Sequence, residues 1–140
     1  MKREVRYDDP DAALLVAQKT GVSVDMKIHR ALGSYIDGQL VGGVLITDHN
    51  GHSCAIHQAG IHPLWLSKEV LFSTFYFIFD ALWCRTVFAY VASTNVRALQ
   101  ITEKLGFEQC ATIPGVFADG DLIVLRMFKH QCKYLDIPFR

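Results

Sequence analysis

The stretch 95–107 reads Asn-Val-Arg-Ala-Leu-Gln-Ile-Thr-Glu-Lys-Leu-Gly-Phe, and it follows the β-type run 87–92 after a polar link, Ser93-Thr94. Ala98, Ile101 and Leu105 keep helical spacing, which predicts an amphipathic helix with that face buried. Asn95 suits the N-cap of this helix, and Gly106 stands where a chain leaving a helix often needs a left-handed residue. Phe107 then opens a new apolar run. Strand, Asn-led helix, Gly-Phe exit, strand: this order lays a helix against a sheet in the second half of the chain.

Upstream, 5–7 is a short strand candidate. Asp9 can cap, and Pro10 can open, a helix over 12–19 that Gly21 stops. The runs 31–36 and 40–46 flank Asp37-Gly38, and Asn50-Gly51 precedes the run 54–61. Both dipeptides favour the positive backbone angles of tight hairpin turns, so three antiparallel strands form a meander. Gly42-Gly43 inside a strand marks a bulge or a close approach to the backbone. Pro63 ends the meander, and Ser67 can cap a helix from 68 to about 83 that is apolar nearly all round. Lys68, Glu69 and Asp80 bracket only a decapeptide, short of the roughly 20 apolar residues that cross a bilayer. It reads as a helix buried against a sheet.

Strands at 87–92, 107–113 and 122–128 complete the series, with Pro114-Gly115 and Asp119-Gly120 punctuating the last link. The tail 134–140 has no periodicity, and leaves Ile137 and Phe139 either docked on a neighbour or loose. The order β-α-β-β-β-α-β-α-β-β over 1–140 predicts a single α+β domain: a mixed, mostly antiparallel sheet flanked by helices.

Composition narrows the function. The 14 basic and 14 acidic residues cancel, and no basic stripe is visible, so no nucleic-acid partner is expected. With 51% apolar and 20% charged residues the chain reads as an ordinary soluble globular protein with no membrane partner. Met1-Lys2-Arg3-Glu4 leads into no apolar signal segment, and the four cysteines are dispersed. They read as reduced, mostly buried thiols of a cytoplasmic protein. Neutral net charge removes one safeguard against self-association, which leaves a homodimer or larger assembly open. His49, His52, Cys54, His57 and His62 crowd one region. The first two straddle a turn and the last two fall on opposite strand faces, so no metal is expected there.

Asn95, Ala98, Glu103, Lys104, Gly106 and Phe107 resemble the C-terminal half of the GNAT superfamily of N-acetyltransferases. There an Asn-x-x-Ala helix runs to Tyr-Glu-Lys-x-Gly-Phe and a strand; the tyrosine position is Thr102 here. The element order matches across nearly the whole chain, with a shortened first helical region. The resemblance implies an acyl-CoA-dependent N-acetyltransferase that moves an acetyl group from acetyl-CoA to an unidentified amine. It places a general base near His57, which suits a proton transfer near neutrality. Tyr90 substitutes for the missing acid by residue type. Donor contacts fall to Ile61, Ser67, Lys68, Glu69, Asn95 and Ala98, and Tyr35 lines an acceptor pocket.

In the family the pyrophosphate of coenzyme A sits on a Gln/Arg-x-x-Gly-x-Gly/Ala loop. The matching 66–71 reads Leu-Ser-Lys-Glu-Val-Leu, with Leu66, Glu69 and Leu71 at the lead and glycine positions. Ser67 and Lys68 at a helix N-terminus still attract phosphate. The eroded loop leaves an alternative open: a non-catalytic GNAT-fold structural or interaction protein, such as a phage virion component. Plainer readings stand beside each candidate. His57 can be a half-buried residue bonded to a carbonyl, Ser67 and Asn95 can be simple caps, and Tyr35 can belong to the core.

Overall fold

Two hairpin-built units share one sheet, and the seam between them shapes the site. The computed structural model describes residues 1–136, so Ile137 and Phe139 lie outside the described residues. The elements are β1 (Arg3–Tyr7), α1 (Pro10–Thr20), β2 (Arg30–Ile36), β3 (Gln39–Thr47), β4 (Ser53–Gly60), α2 (Lys68–Tyr76), β5 (Thr86–Ala92), α3 (Val96–Lys104), β6 (Glu108–Phe117) and β7 (Gly120–Phe128). The seven strands order as β1-β2-β3-β4-β5-β7-β6. All neighbours are antiparallel except β4 and β5. This is the mixed, mostly antiparallel α+β architecture that the element order predicts.

Local chemistry explains most of the boundaries. Asp9 accepts a hydrogen bond from the Asp11 N–H at 3.0 Å and Pro10 follows it, while Gly21 leaves α1 at φ 78°. Asp37 and Gly38 take φ of 50° and 81° in the β2–β3 turn, as a two-residue hairpin requires. Ser34 pairs with Gly42 and Tyr35 with Leu40, so Val41 is the extra residue of a bulge. Gly43 opposes the α1 residue Ala12, whose Cβ would lie 3.1 Å from an added methyl. Both readings of the glycine pair therefore hold.

Three expectations change. Asn50-Gly51 is not a two-residue turn: β3 ends at Thr47, β4 starts at Ser53, and the Asn50 side-chain oxygen accepts from the His52 and Ser53 N–H groups at 2.9 Å each. An Asn side chain capping its own loop stabilises a longer connection. Pro114-Gly115 is no link but part of β6, at a register irregularity. Since β6 is the sheet edge, a proline there removes no needed donor. The helix expected to reach about 83 ends as α at Tyr76 and continues as a π turn, Phe77–Ala81, with Leu82 N–H donating to the Phe77 carbonyl at 2.8 Å. Phe77, Ile78 and Phe79 are all buried there.

α2 and α3 cover one sheet face. Phe75 sits at the centre, with ring centroids 5.3 Å from Tyr134, 6.2 Å from Phe79 and 6.3 Å from Phe107. α1 covers β2, β3 and part of β4 on the other face, through Ala13, Val16, Ala31 and Leu45. Beyond it that face lies bare, and β6 is exposed along its whole length. No helix of the described residues is long and apolar enough to cross a membrane. Cys54, Cys84 and Cys132 are buried and Cys110 is exposed, and no disulfide joins any of these cysteines.

Tyr35 belongs to this framework. Its hydroxyl donates to the buried Asp9 carboxylate, and the Arg6 guanidinium lies 3.8 Å from its ring centroid. Burial, then the Asp9 bond, pushes the phenol up to about 12. Tyr35→Phe removes a hydrogen bond to a charged group, an expected loss of about 1.5–3 kcal/mol. Urea denaturation reads this directly; an unchanged midpoint at equal slope would show the contact to be energetically idle.

Candidate active site

β4 and β5 pair only from Ser53–Thr86 to Ile56–Ala89, although β4 continues to Gly60 and β5 to Ala92. From His57 and Tyr90 onward the strands part. Their facing backbone donors and acceptors lose a strand partner at this edge and are available to an extended ligand carrying amides. A cavity of about 630 Å³ fills the opening and is lined from both sides of the sheet. Lys19 and Val22, at the end of α1, approach from one side; Asn95, Ala98 and Thr102, on α3, approach from the other. The volume suits a small organic ligand.

His57 and Tyr90 stand where the strands diverge, ring centroids 6.1 Å apart. His57 Nε2 lies 2.9 Å from Thr47 Oγ1, while Nδ1 has no partner among the described residues. Burial disfavours the imidazolium and lowers the His57 pKa, partly opposed by Asp48. Burial also raises the Tyr90 phenol, with Asp48 adding to it. Both groups are therefore neutral near pH 7.

On α3, the Asn95 side-chain oxygen accepts from the Ala98 N–H at 3.1 Å, so Asn95 is a cap that also lines the cavity. The buried position of this helix is Thr102, not Ile101, which is 38% exposed. Thr102 can be buried because its hydroxyl donates to the Ala98 carbonyl at 2.7 Å. That bond commits the hydroxyl hydrogen, and the residue at the family's tyrosine position offers no free acid.

Other candidates lie apart. Ile61 is exposed and does not line the cavity. Tyr35 is under α1, held by Asp9, and is not among the residues lining this cavity. Ser67, Lys68 and Glu69 open α2, outside the cavity lining. Ser67 Oγ accepts from the Val70 N–H at 3.3 Å. The Glu69 carboxyl is lowered first by a hydrogen bond from its own N–H and further by the Ser67 hydroxyl. Sequence reading missed Lys19, Val22, Gln58 and Phe117 as lining residues. Only Gly21, which stops α1 beside the opening, hinted at the first two.

The donor that the resemblance implies fits in one part and not in another. An amide-bearing thioester arm matches the parted strands. The nucleotide pyrophosphate does not match the start of α2, where the Val70 N–H is already taken by Ser67, the acidic Glu69 occupies the first turn and glycine is absent. Among the described residues no group of three or more His, Cys, Asp or Glu is arranged to hold a metal.

No protein-family model matches the sequence, and no curated protein matches it. Among solved structures, a mutant form of the spermidine/spermine N-acetyltransferase SpeG from Vibrio cholerae superposes with a TM-score of 0.74 at 13% identity, covering 96% of this chain and 98% of that one. The dodecameric spermidine N-acetyltransferase of the same organism gives 0.73 at 15% identity, covering 96% of each chain. A structure described as a putative acetyltransferase gives 0.62 at 18% identity, covering 74% of this chain and 58% of that one. The chain has the GNAT fold of these N-acetyltransferases, at a sequence distance that fixes architecture and not substrate.

Proposed function

We propose that the protein transfers an acyl group, acetyl being the simplest, from a pantetheine-type thioester to a primary amine. The observation that carries this is the parting of β4 and β5 at His57 and Tyr90, with a cavity passing between them. In this reading the open strand edges align the amides of the donor arm. His57, with Nε2–H donating to Thr47, receives the amine proton at Nδ1 as the N–C bond forms and the thioester C–S bond breaks. The Tyr90 phenol returns a proton to the departing sulfur. Asn95 and Ala98 border the arm, while Ser67, Lys68 and Glu69 face its outer end.

The substrate in this reading is a monoamine that reacts as the uncharged free base, so that the one proton lost on N–C bond formation goes to His57. No carboxylate lines the cavity among the described residues, and Lys19 stands at its edge, so several ammonium groups would be desolvated without partners. The spermidine acetylation in the neighbours' names is therefore not carried over. Self-association fits the bare β6 edge, where Ile113, Val116 and Phe117 are exposed.

The test is thiol release from an acetyl thioester in the presence of a panel of monoamines. Amine-dependent release is expected. Its kcat/KM falls on the acid side with a midpoint below the ordinary histidine value of about 6.5, because His57 must be neutral to act and burial keeps it so. Thioester binding without release for any amine would sink the catalytic reading, and an acid limb above the ordinary value would remove His57 from the role of base.

A further inference from the structure

We infer that the acyl donor is recognised through its pantetheine arm alone, without its nucleotide pyrophosphate. The inference rests on the acyl-transfer reading and concerns the same site. Three observations carry it.

The arm's place is open. His57, Gln58, Val91 and Ala92 border the gap between β4 and β5, where the backbone of both strands faces a ligand instead of a strand.

The phosphate's place is closed. An anion at a helix start is held by free N–H groups, with glycines letting it approach. At α2 the Val70 N–H goes to Ser67 Oγ at 3.3 Å, and Glu69 stands in the first turn with no glycine beside it, its carboxyl held below the ordinary range. The helix start already holds an anion, supplied by the chain.

That arrangement is also clamped. In the connection before α2, the Trp65 ring lies on the paired glycines Gly42 and Gly60: an added Cβ would fall 2.3 Å from Trp65 Cε3 at the first and 2.0 Å from its Cδ1 and Nε1 at the second. Ser34 Oγ donates to the Trp65 carbonyl at 2.8 Å, and Arg3 Nη1 donates to the Leu64 carbonyl at 2.8 Å. A segment bonded to β1, β2 and the glycine floor cannot swing aside to offer a fresh phosphate cradle. Arg3 is spent on that carbonyl, and Lys68, the cation at the helix start, adjoins the Glu69 carboxylate in sequence.

A donor matching this outline is a small pantetheine thioester, or a phosphopantetheine arm carried on another protein that keeps its phosphate outside. Calorimetry and initial rates with the full-length protein compare S-acetylpantetheine with acetyl-CoA. The expected ratio of their dissociation constants is below ten. Both Glu69→Gln and Glu69→Gly should shift that ratio at least tenfold toward acetyl-CoA, by vacating the helix start. A wild-type preference for acetyl-CoA above tenfold overturns the inference and leaves acyl transfer standing; no heat with either thioester removes both. An acetylated phosphopantetheinyl carrier protein separates the sources: turnover faster than acetylpantetheine assigns the donor to a protein-borne arm, and turnover no faster assigns it to the small thioester.

Discussion

Replacing His57 by alanine should lower kcat/KM for the amine by about 10²- to 10⁴-fold, the usual worth of a positioned general base. The loss should appear in kcat and leave donor binding nearly intact, since the imidazole acts on the amine proton and the arm is held by strand backbone. The acid limb of the pH profile should vanish with the side chain, which separates a lost base from a distorted cavity. A decrease below tenfold, or a limb that persists in the variant, would mean that water or another group takes the proton. Neutrality of the histidine is built in: it is buried enough that its pKa falls, although Asp48 pulls the other way, and Thr47 fixes the ring through Nε2.

Phe75→Ala should cost about 3–5 kcal/mol, the range for deleting a buried aromatic ring, out of the 5–15 kcal/mol that holds a typical domain together. The residue is 1% exposed and touches three rings from three parts of the chain: Phe79 in the π turn, Phe107 at the α3 exit and Tyr134 near the C-terminal side of the described residues. All three neighbours are themselves buried, so closing the cavity left behind would require the core to repack. Urea unfolding should show a midpoint reduced in proportion, with the slope unchanged. A loss under 1 kcal/mol would mean that Phe79 and Tyr134 close the gap, and that the cluster packs more loosely than its stacked geometry implies.

Elements governed by local rules were legible in the sequence. Asp9-Pro10, Asp37-Gly38 and Asn95 do what their backbone preferences and side-chain acceptors dictate, and the strand order follows. Competition between rules hid the rest. Asn50 can serve a tight turn or cap a wider loop, and only the lengths of β3 and β4 decide. Ile101 looks more buried than Thr102 on any apolar scale, yet a threonine bonded inside its own helix loses little by burial. The end of α2 was obscured because an all-apolar run carries no boundary signal. The site was half legible: the resemblance pointed to His57 and residue type to Tyr90, but their meeting depends on a parallel register between strands separated by α2. Lys19 and Val22 join them only because α1 ends over the gap. Nothing in the strand of Tyr35 announces that Asp9 will take its hydroxyl.

The short pairing of β4 with β5 also bears on how the molecule comes together in time. Within the two units β2–β3, β3–β4 and β6–β7 close as hairpins after short connections, while β1–β2 and β5–β7 pair across α1 and across α3 with β6. The parallel rungs between Ser53–Ile56 and Thr86–Ala89 join segments separated by α2 and the π turn, and such long-range parallel contacts form slowly. A gap between two units has no walls until both exist and have docked. The pocket is thus expected to be the last part of the protein to take shape as the chain folds, and the first to lose it when the rungs open.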